Sequence, residues 1–312
     1  MRLITHNTHF DFIGKRKAAL IFSTTLIVLA LLSVGVRGLN FGIDFTGGTL
    51  IEVSFPNSVD LSAVRQSLGK AGFDQAVVQH FGSTRDVLVR IAPREGVSKA
   101  ELSSDALRAL GDAHQGKINL RRVEFVGPQV GRELTESGGL AMLVALGGIL
   151  IYVGLRFEYR FALGAVAALI HDVIITIGFF SELGLEFDLT TLAAVLAVIG
   201  YSLNDTIVVF DRVRENFRRM RKGSPELIVN ASINQTLSRT LMTSLTTLIV
   251  VVALFFLGGD LIHSFSTALI VGIVIGTYSS IYVASTAALA LGISKQDMMP
   301  VKKEGEALDA RP

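Results

Sequence analysis

Cysteine is absent from the 312 residues, which excludes disulfides, thiolate metal ligands and thiol nucleophiles and removes any redox clue to the compartment. Charge is scarce as well. Asp, Glu, Lys and Arg make up 18% of the chain against 50% hydrophobic residues, and the mean hydropathy is positive. Soluble chains of this length rarely show that balance, so the sequence reads as an integral membrane protein. The net charge of +2 is small and says little about partners. No catalytic, cofactor or metal-binding constellation is found: His80 and His114 stand alone, and no helix N-terminus follows Asp44, Gly47 and Gly48 to hold a phosphate. The chain is therefore not read as an enzyme, and that glycine pair is read as a turn.

What the sequence does contain is six apolar runs: Ala18–Val36, Gly138–Leu155, Phe161–Ser181, Leu189–Phe210, Leu241–Gly258 and Ile262–Leu291. Each is about the length that a helix needs to cross a hydrocarbon core of roughly 30 Å. The first follows Lys15, Arg16 and Lys17; it is longer than a signal-peptide core and no cleavage pattern follows it, so it reads as an uncleaved span. Arg156 and Arg160, then Arg212, Arg214, Arg218, Arg219, Arg221 and Lys222, then Lys295, Lys302 and Lys303 occupy one set of loops and the tail, whereas the opposite loops SELGLEFD and GGDLIHS have no lysine or arginine. The positive-inside rule then places both termini in the cytoplasm. The basic loop 212–222 is read as a topology anchor and lipid contact rather than a nucleic-acid site.

Between the first two runs the composition becomes that of a soluble domain. GGTLIEVSF alternates like a strand, VDLSAVRQSLGKAG reads as a helix, AVVQHF and DVLVRIA as two strands joined at GSTR, SKAELSSDALRALGDAHQG as a second helix opened by a Ser98/Glu101 capping box, and INLRRVEFV as a last strand. This βαββαβ order predicts a ferredoxin-like α+β domain. The expected organisation is a cytoplasmic N-terminus at 1–17, a first span at 18–36, an extracytoplasmic domain at 37–137, a five-helix bundle at 138–292 and a cytoplasmic tail at 293–312.

Polar residues inside the apolar runs are the functional signal. Asn204 and Asp205 interrupt the fourth run, and a carboxylate in hydrocarbon costs about 3 kcal/mol or more, so it must face protein or a wet path. At a 1.5 Å rise per residue, Asp205 lies roughly 24 Å below the outer end of its span and Arg239 roughly 28 Å below that of the next, so the two charges share a level and are candidates to pair. The bland reading of Arg239 is a cation that reaches the cytoplasmic surface. His171 and Asp172 fall near mid-membrane, with Thr176 one turn on. Arg239, Thr243, Thr246 and Thr247 form a helical stripe, and Gly272, Gly276 and Ser280 a small-residue face that reads as packing. Together His171, Asp172, Asn204, Asp205, Arg239 and Thr243 have the composition of a proton relay. Moving a cation relative to a buried carboxylate would switch it between holding and releasing a proton.

FGIDFTGG at 41–48, VEFVGPQVG at 123–131, HDVIIT at 171–176 and GYSLNDTIVVFDRVREN at 200–216 resemble the SecF family of the bacterial Sec protein-export machinery, within the resistance-nodulation-division superfamily. The likeness runs from the first span to the sixth. It implies a proton-motive-force-coupled auxiliary subunit that works with a SecD-like partner, and with the SecYEG channel and its small membrane subunits, on a translocating preprotein at the outer side of the bacterial inner membrane. It also implies contacts with lipids, no nucleic acid and no cofactor, and it places the family's essential aspartate on Asp205 and its essential arginine on Arg239. The alternatives are a small-molecule or lipid exporter of the same superfamily and a passive translocon scaffold. With one soluble domain and no second bundle the chain cannot make a complete exporter alone, and buried charges would be a needless cost in a scaffold.

Overall fold

A computed structural model of the chain describes residues 8–74, 76–94, 97–113, 118–220, 223–259 and 262–293. Six helices in it are long and apolar enough to cross a membrane. They are α1 (Arg16–Arg37), α5 (Pro128–Arg156), α6 (Tyr159–Leu183), α7 (Leu189–Arg219), α8 (Pro225–Leu257) and a sixth rod of α9 (His263–Ser279), a π-helical turn (Ser280–Ala284) and α10 (Ser285–Ala290). Local chemistry sets their ends. Asp188 caps α7 by accepting the Thr191 N–H at 2.7 Å, α8 starts with Pro225 behind the cap Ser224, and Gly184 at φ 64° closes α6.

Between α1 and α5 lies the α+β domain: β2 (Gly48–Ser54), α3 (Leu61–Lys70), β3 (Val77–Phe81), β4 (Ser83–Ile91), α4 (Lys99–Ala113) and β5 (Asn119–Val126). The four strands form one antiparallel sheet in the order β3-β4-β2-β5, which is the ferredoxin-like arrangement. Alternation along the strands divides the faces. Ile51 and Val53 of β2 and Val87, Val89 and Ile91 of β4 meet Val64 and Leu68 of α3 and Ala106 and Leu110 of α4, whereas Leu50 and Leu88 on the other face cluster with Ile43. Ser98 accepts the Glu101 N–H at 3.2 Å, half of the expected capping box. His114, Arg221, Lys222 and the tail cations lie outside the described residues.

A short parallel ladder joins the domain to the bundle. β1 (Asn40–Phe41) runs parallel to β6 (Glu186–Phe187) in the loop between α6 and α7. Arg90 on β4 pairs with Glu186 at 2.5 Å and donates to the Phe41 carbonyl at 2.6 Å, and Gln79 donates to the same carboxylate at 3.1 Å. Next to it α2 (Ile43–Thr46), a single helical turn ending at Gly47 with φ 69°, presents the Asp44 carboxylate to the Leu189 N–H at 2.9 Å, adding a second cap to α7. Gly131 lets α5 approach this turn, since a Cβ there would stand 2.6 Å from the Phe45 carbonyl oxygen.

Three helices exceed the apolar runs that announced them by several residues; α5, expected from Gly138, starts at Pro128. The expected basic loop 212–222 is helical through Arg219, with Glu215 pairing Arg212 at 2.5 Å and Arg219 at 3.0 Å. The fifth span, expected from Leu241, belongs to a helix that starts at Pro225; its first half buries Ile228, Val229, Ile233 and Leu237 in one core with Val213 and Phe217 of α7. Asn216 joins the two helices by donating to Ser232 at 2.8 Å and Gln235 at 2.9 Å. These extensions are amphipathic, so apolar length understates them.

In the bundle α6 packs against α1, α5, α7 and the sixth rod, while α7 packs against α8 and α9. Close approach relies on glycine. A Cβ at Gly178 of α6 would stand 2.2 Å from the Ala30 Cβ of α1, and one at Gly272 of α9 would stand 2.2 Å from Val198 of α7. Gly178→Ala is expected to push α1 off α6 and cost about 1–3 kcal/mol in detergent unfolding, while Gly147→Ala, with open space around it, changes stability by about 0.5 kcal/mol or less. Glu186→Ala is expected to speed amide exchange at Gly42 and Leu189 at the junction and to leave that of Val89 in the sheet unchanged.

Candidate functional site

α6, α7, α8 and the sixth rod converge around two carboxylates, Asp172 with 1% and Asp205 with 2% of its surface exposed. Their surroundings differ. Asp205 on α7 faces α8: its Oδ1 accepts from Thr243 at 3.4 Å and its Oδ2 from Ser244 at 3.4 Å, and Ser244 shares a 2.7 Å hydrogen bond with Thr277 of α9. Long hydroxyl contacts alone hold it. The Thr243 hydroxyl is also within reach of the Arg239 carbonyl at 3.1 Å and the Thr240 carbonyl at 2.9 Å, so its single proton has three acceptors to choose among.

Arg239 does not meet Asp205 as an ion pair. It is exposed on α8, its guanidinium makes no hydrogen bond or ion pair among the described residues, and it stands one turn along α8 from the Thr243 that contacts Asp205. The register of α8 explains this. Thr236, Thr240 and Ser244, spaced four apart, are the buried line facing α7, and the stripe of Arg239, Thr243 and Thr246 runs along its edge. Asn204 is likewise exposed and makes no side-chain hydrogen bond among the described residues, being roughly 100° round the helix from Asp205. With Ala193, Ala197 and Gly200 it forms an exposed line of small and polar residues down α7.

The second centre is more tightly built. His171 Nδ1 lies 2.9 Å from Asp172 Oδ1, while Asp172 Oδ2 accepts from Ser202 of α7 at 2.6 Å and from Ser279 of α9 at 2.8 Å. The other ring nitrogen, Nε2, lies 3.2 Å from the Ser23 hydroxyl of α1. Thr176, expected on the same face as Asp172, donates instead to the Asp172 backbone carbonyl at 2.8 Å. Gly276 is what brings α9 this near: a Cβ there would stand 3.0 Å from Ser202 and 3.5 Å from Asp172 Oδ2. The π-helical turn then begins at Ser280, whose hydroxyl accepts from Thr206 at 3.3 Å.

Of the residues expected from sequence, His171, Asp172, Asp205 and Thr243 thus line the interior, and Asn204 and Arg239 lie on the outside, Arg239 one turn of α8 away from the Thr243 that contacts Asp205. Ser23, Ser202, Ser244, Thr277 and Tyr278 were not singled out in the sequence; Ser202, one turn from Asp205 on α7, carried a usable signal. Among the described residues no three of His, Asp and Glu come together as a metal site.

Known proteins agree with this arrangement along nearly the whole chain. The family described as "Protein export membrane protein SecD/SecF, C-terminal" matches residues 106–294, and "SecD/SecF GG Motif" matches residues 32–56. The protein translocase subunit SecF of Vibrio alginolyticus is 56% identical over 303 residues, covering 96% of each chain, and that of Pseudomonas aeruginosa is 52% identical, covering 97% of each. The crystal structure of SecDF, a translocon-associated membrane protein from Thermus thermophilus, superposes with a TM-score of 0.84 at 40% identity, covering 93% of this chain and 39% of that one. SecDF in a super-membrane-facing form superposes with a TM-score of 0.69 over the same shares. This chain therefore spans well under half of those solved chains but nearly all of the SecF subunits. With both stretches of the family matched and such identity over almost its full length, the chain belongs to the SecD/SecF family.

Proposed function

We propose that this chain is the SecF-type auxiliary subunit of the Sec protein translocase, coupling the proton-motive force to preprotein movement. It performs no enzymatic reaction. The observation that carries the reading is Asp205, a carboxylate buried between α7 and α8 and held by hydroxyls alone, in a chain aligned end to end with translocase subunits. Such a group can take up a proton and release it without breaking an ion pair. The charge of Arg239, on the neighbouring helix, sets which state is favoured as α8 shifts. His171, Asp172, Asn204 and Thr243 complete the proposed relay. One proton crossing the membrane supplies about 2.3 kcal/mol per 100 mV, enough to bias the α+β domain between two positions.

In this reading the protein crosses the inner membrane six times with both termini in the cytoplasm and the α+β domain outside, because Arg156, Arg160 and the basic end of α7 lie at the end of the bundle away from the domain. A SecD-like subunit covers the line Ala193, Ala197, Gly200 and Asn204, where small side chains admit a close helix and the amide gains a partner instead of meeting hydrocarbon. The assembly acts with the SecYEG channel and its small membrane subunits on the preprotein, with lipid around the remaining faces.

Asp205→Asn is expected to accumulate normally and to lose the potential-driven late stage of export in membrane vesicles by at least about tenfold, with Arg239→Leu showing the same loss. Wild-type export by both variants would leave only a passive scaffold.

A further inference from the structure

His171, Ser23 and Tyr278 form a chain of hydrogen bonds whose direction is fixed by counting protons. The Tyr278 hydroxyl has one proton and donates it to the Ala19 backbone carbonyl at 2.8 Å, an atom that can only accept. The 3.0 Å contact between Ser23 and Tyr278 must then be a donation from Ser23. Ser23, its proton so used, can only accept from His171 Nε2 at 3.2 Å, and Nε2 carries hydrogen. On the far side of the ring, Nδ1 and Asp172 Oδ1 at 2.9 Å need one proton between them, either on the acid or on an imidazolium. In both cases the pair is neutral as a unit and holds one shared proton.

We infer that the His171–Asp172 pair is a second protonation centre and that Ser23 and Tyr278 are its wire to the cytoplasmic side. This rests on the proton-coupled reading and on the orientation that goes with it. Release proceeds by concerted shifts: the Nε2 proton passes to Ser23 Oγ, the Ser23 proton to Tyr278 Oη, and the Tyr278 proton to water at the cytoplasmic end of α1. One proton leaves and none is created. The pair becomes a neutral imidazole with its Nδ1–H on a carboxylate, whose charge stays solvated by Ser202 and Ser279. The two hydroxyls end up reversed, Ser23 donating to Nε2 and Tyr278 donating to Ser23, and the Ala19 carbonyl is freed until they rotate back.

Geometry favours that exit. Ala19 is three residues into α1, about 5 Å from its start. The Tyr278 ring, half-buried, is set by the edges of Phe22 at 5.5 Å and by Tyr282 at 5.3 Å, so its hydroxyl is held without depending on its own hydrogen bond. Tyr278 is continued toward that end by Tyr282 and Phe12, with rings 5.8 Å apart, and the segment holding Phe12 is clasped by Asn230, whose carboxamide oxygen accepts the Phe12 N–H at 2.8 Å.

The test is proton flux into vesicles containing the chain with its SecD-like partner, read by an internal pH dye, alongside the melting temperature of the same preparations. Tyr278→Phe keeps every ring contact and removes only the hydroxyl. It and Ser23→Ala are expected to lower flux by about tenfold or more at unchanged melting temperature, and Ser23→Thr, which restores a hydroxyl, to recover most of it. Wild-type flux in Tyr278→Phe while Asp205→Asn has none would overturn the wire and leave the proton-coupled reading standing. Equal loss in Ser23→Ala and Ser23→Thr would also overturn it, as a packing effect. Wild-type flux in Asp205→Asn would sink the reading and the wire together.

Discussion

Two carboxylates shut away from water have to be met by donors, and much of the bundle is arranged by that requirement. A buried acid without partners would cost several kcal/mol. Asp172 meets the demand with four elements at once: its neighbour His171 on α6, Ser202 on α7, Ser279 on α9 and, through the imidazole, Ser23 on α1. Helices can deliver short side chains such as serine only when their backbones lie close, which is why Gly276 sits opposite Ser202. Polar satisfaction and small-residue packing are therefore one constraint here, and the face that reads as mere packing in the sequence is what makes the polar centre possible.

Asp205 is solvated more loosely. Its two oxygens have one long hydroxyl contact each, from residues on a helix that also carries a cation on its outer edge. A shift of α8 by a fraction of a turn would lengthen or remove both contacts. The Asp172 centre is tied to three other helices, so its surroundings are fixed by more of the bundle than those of Asp205.

How much of this was legible in the sequence follows from what periodicity can see. Six spans, the βαββαβ order and the anomaly of Asp205 all show as breaks or regularities in hydropathy. The helical lengths of α7 and α8 did not, because Asn216, Ser232 and Gln235 make their continuation polar on one side and the apolar run ends before the helix does. The Thr243 contact was readable from spacing, but Ser244 was not, since one position of register decides which edge of α8 faces α7. Ser23 and Tyr278 left no trace at all: a hydroxyl in an apolar helix ordinarily bonds its own carbonyl one turn back, as Thr246 and Thr267 do here, and nothing marks the one that reaches another helix.

The unbroken course of α7 has a mechanical consequence. It runs 31 residues, about 46 Å, from the two acidic caps beneath the α+β domain, past Asp205, to the arginines at the opposite end. A rod of that length pivoting near its middle is a lever arm: a tilt of roughly 10° displaces each end by about 4 Å, in opposite directions. The capped end beneath the α+β domain and the arginine-bearing end therefore move as one body, so that a tilt imposed at either end is felt at the other.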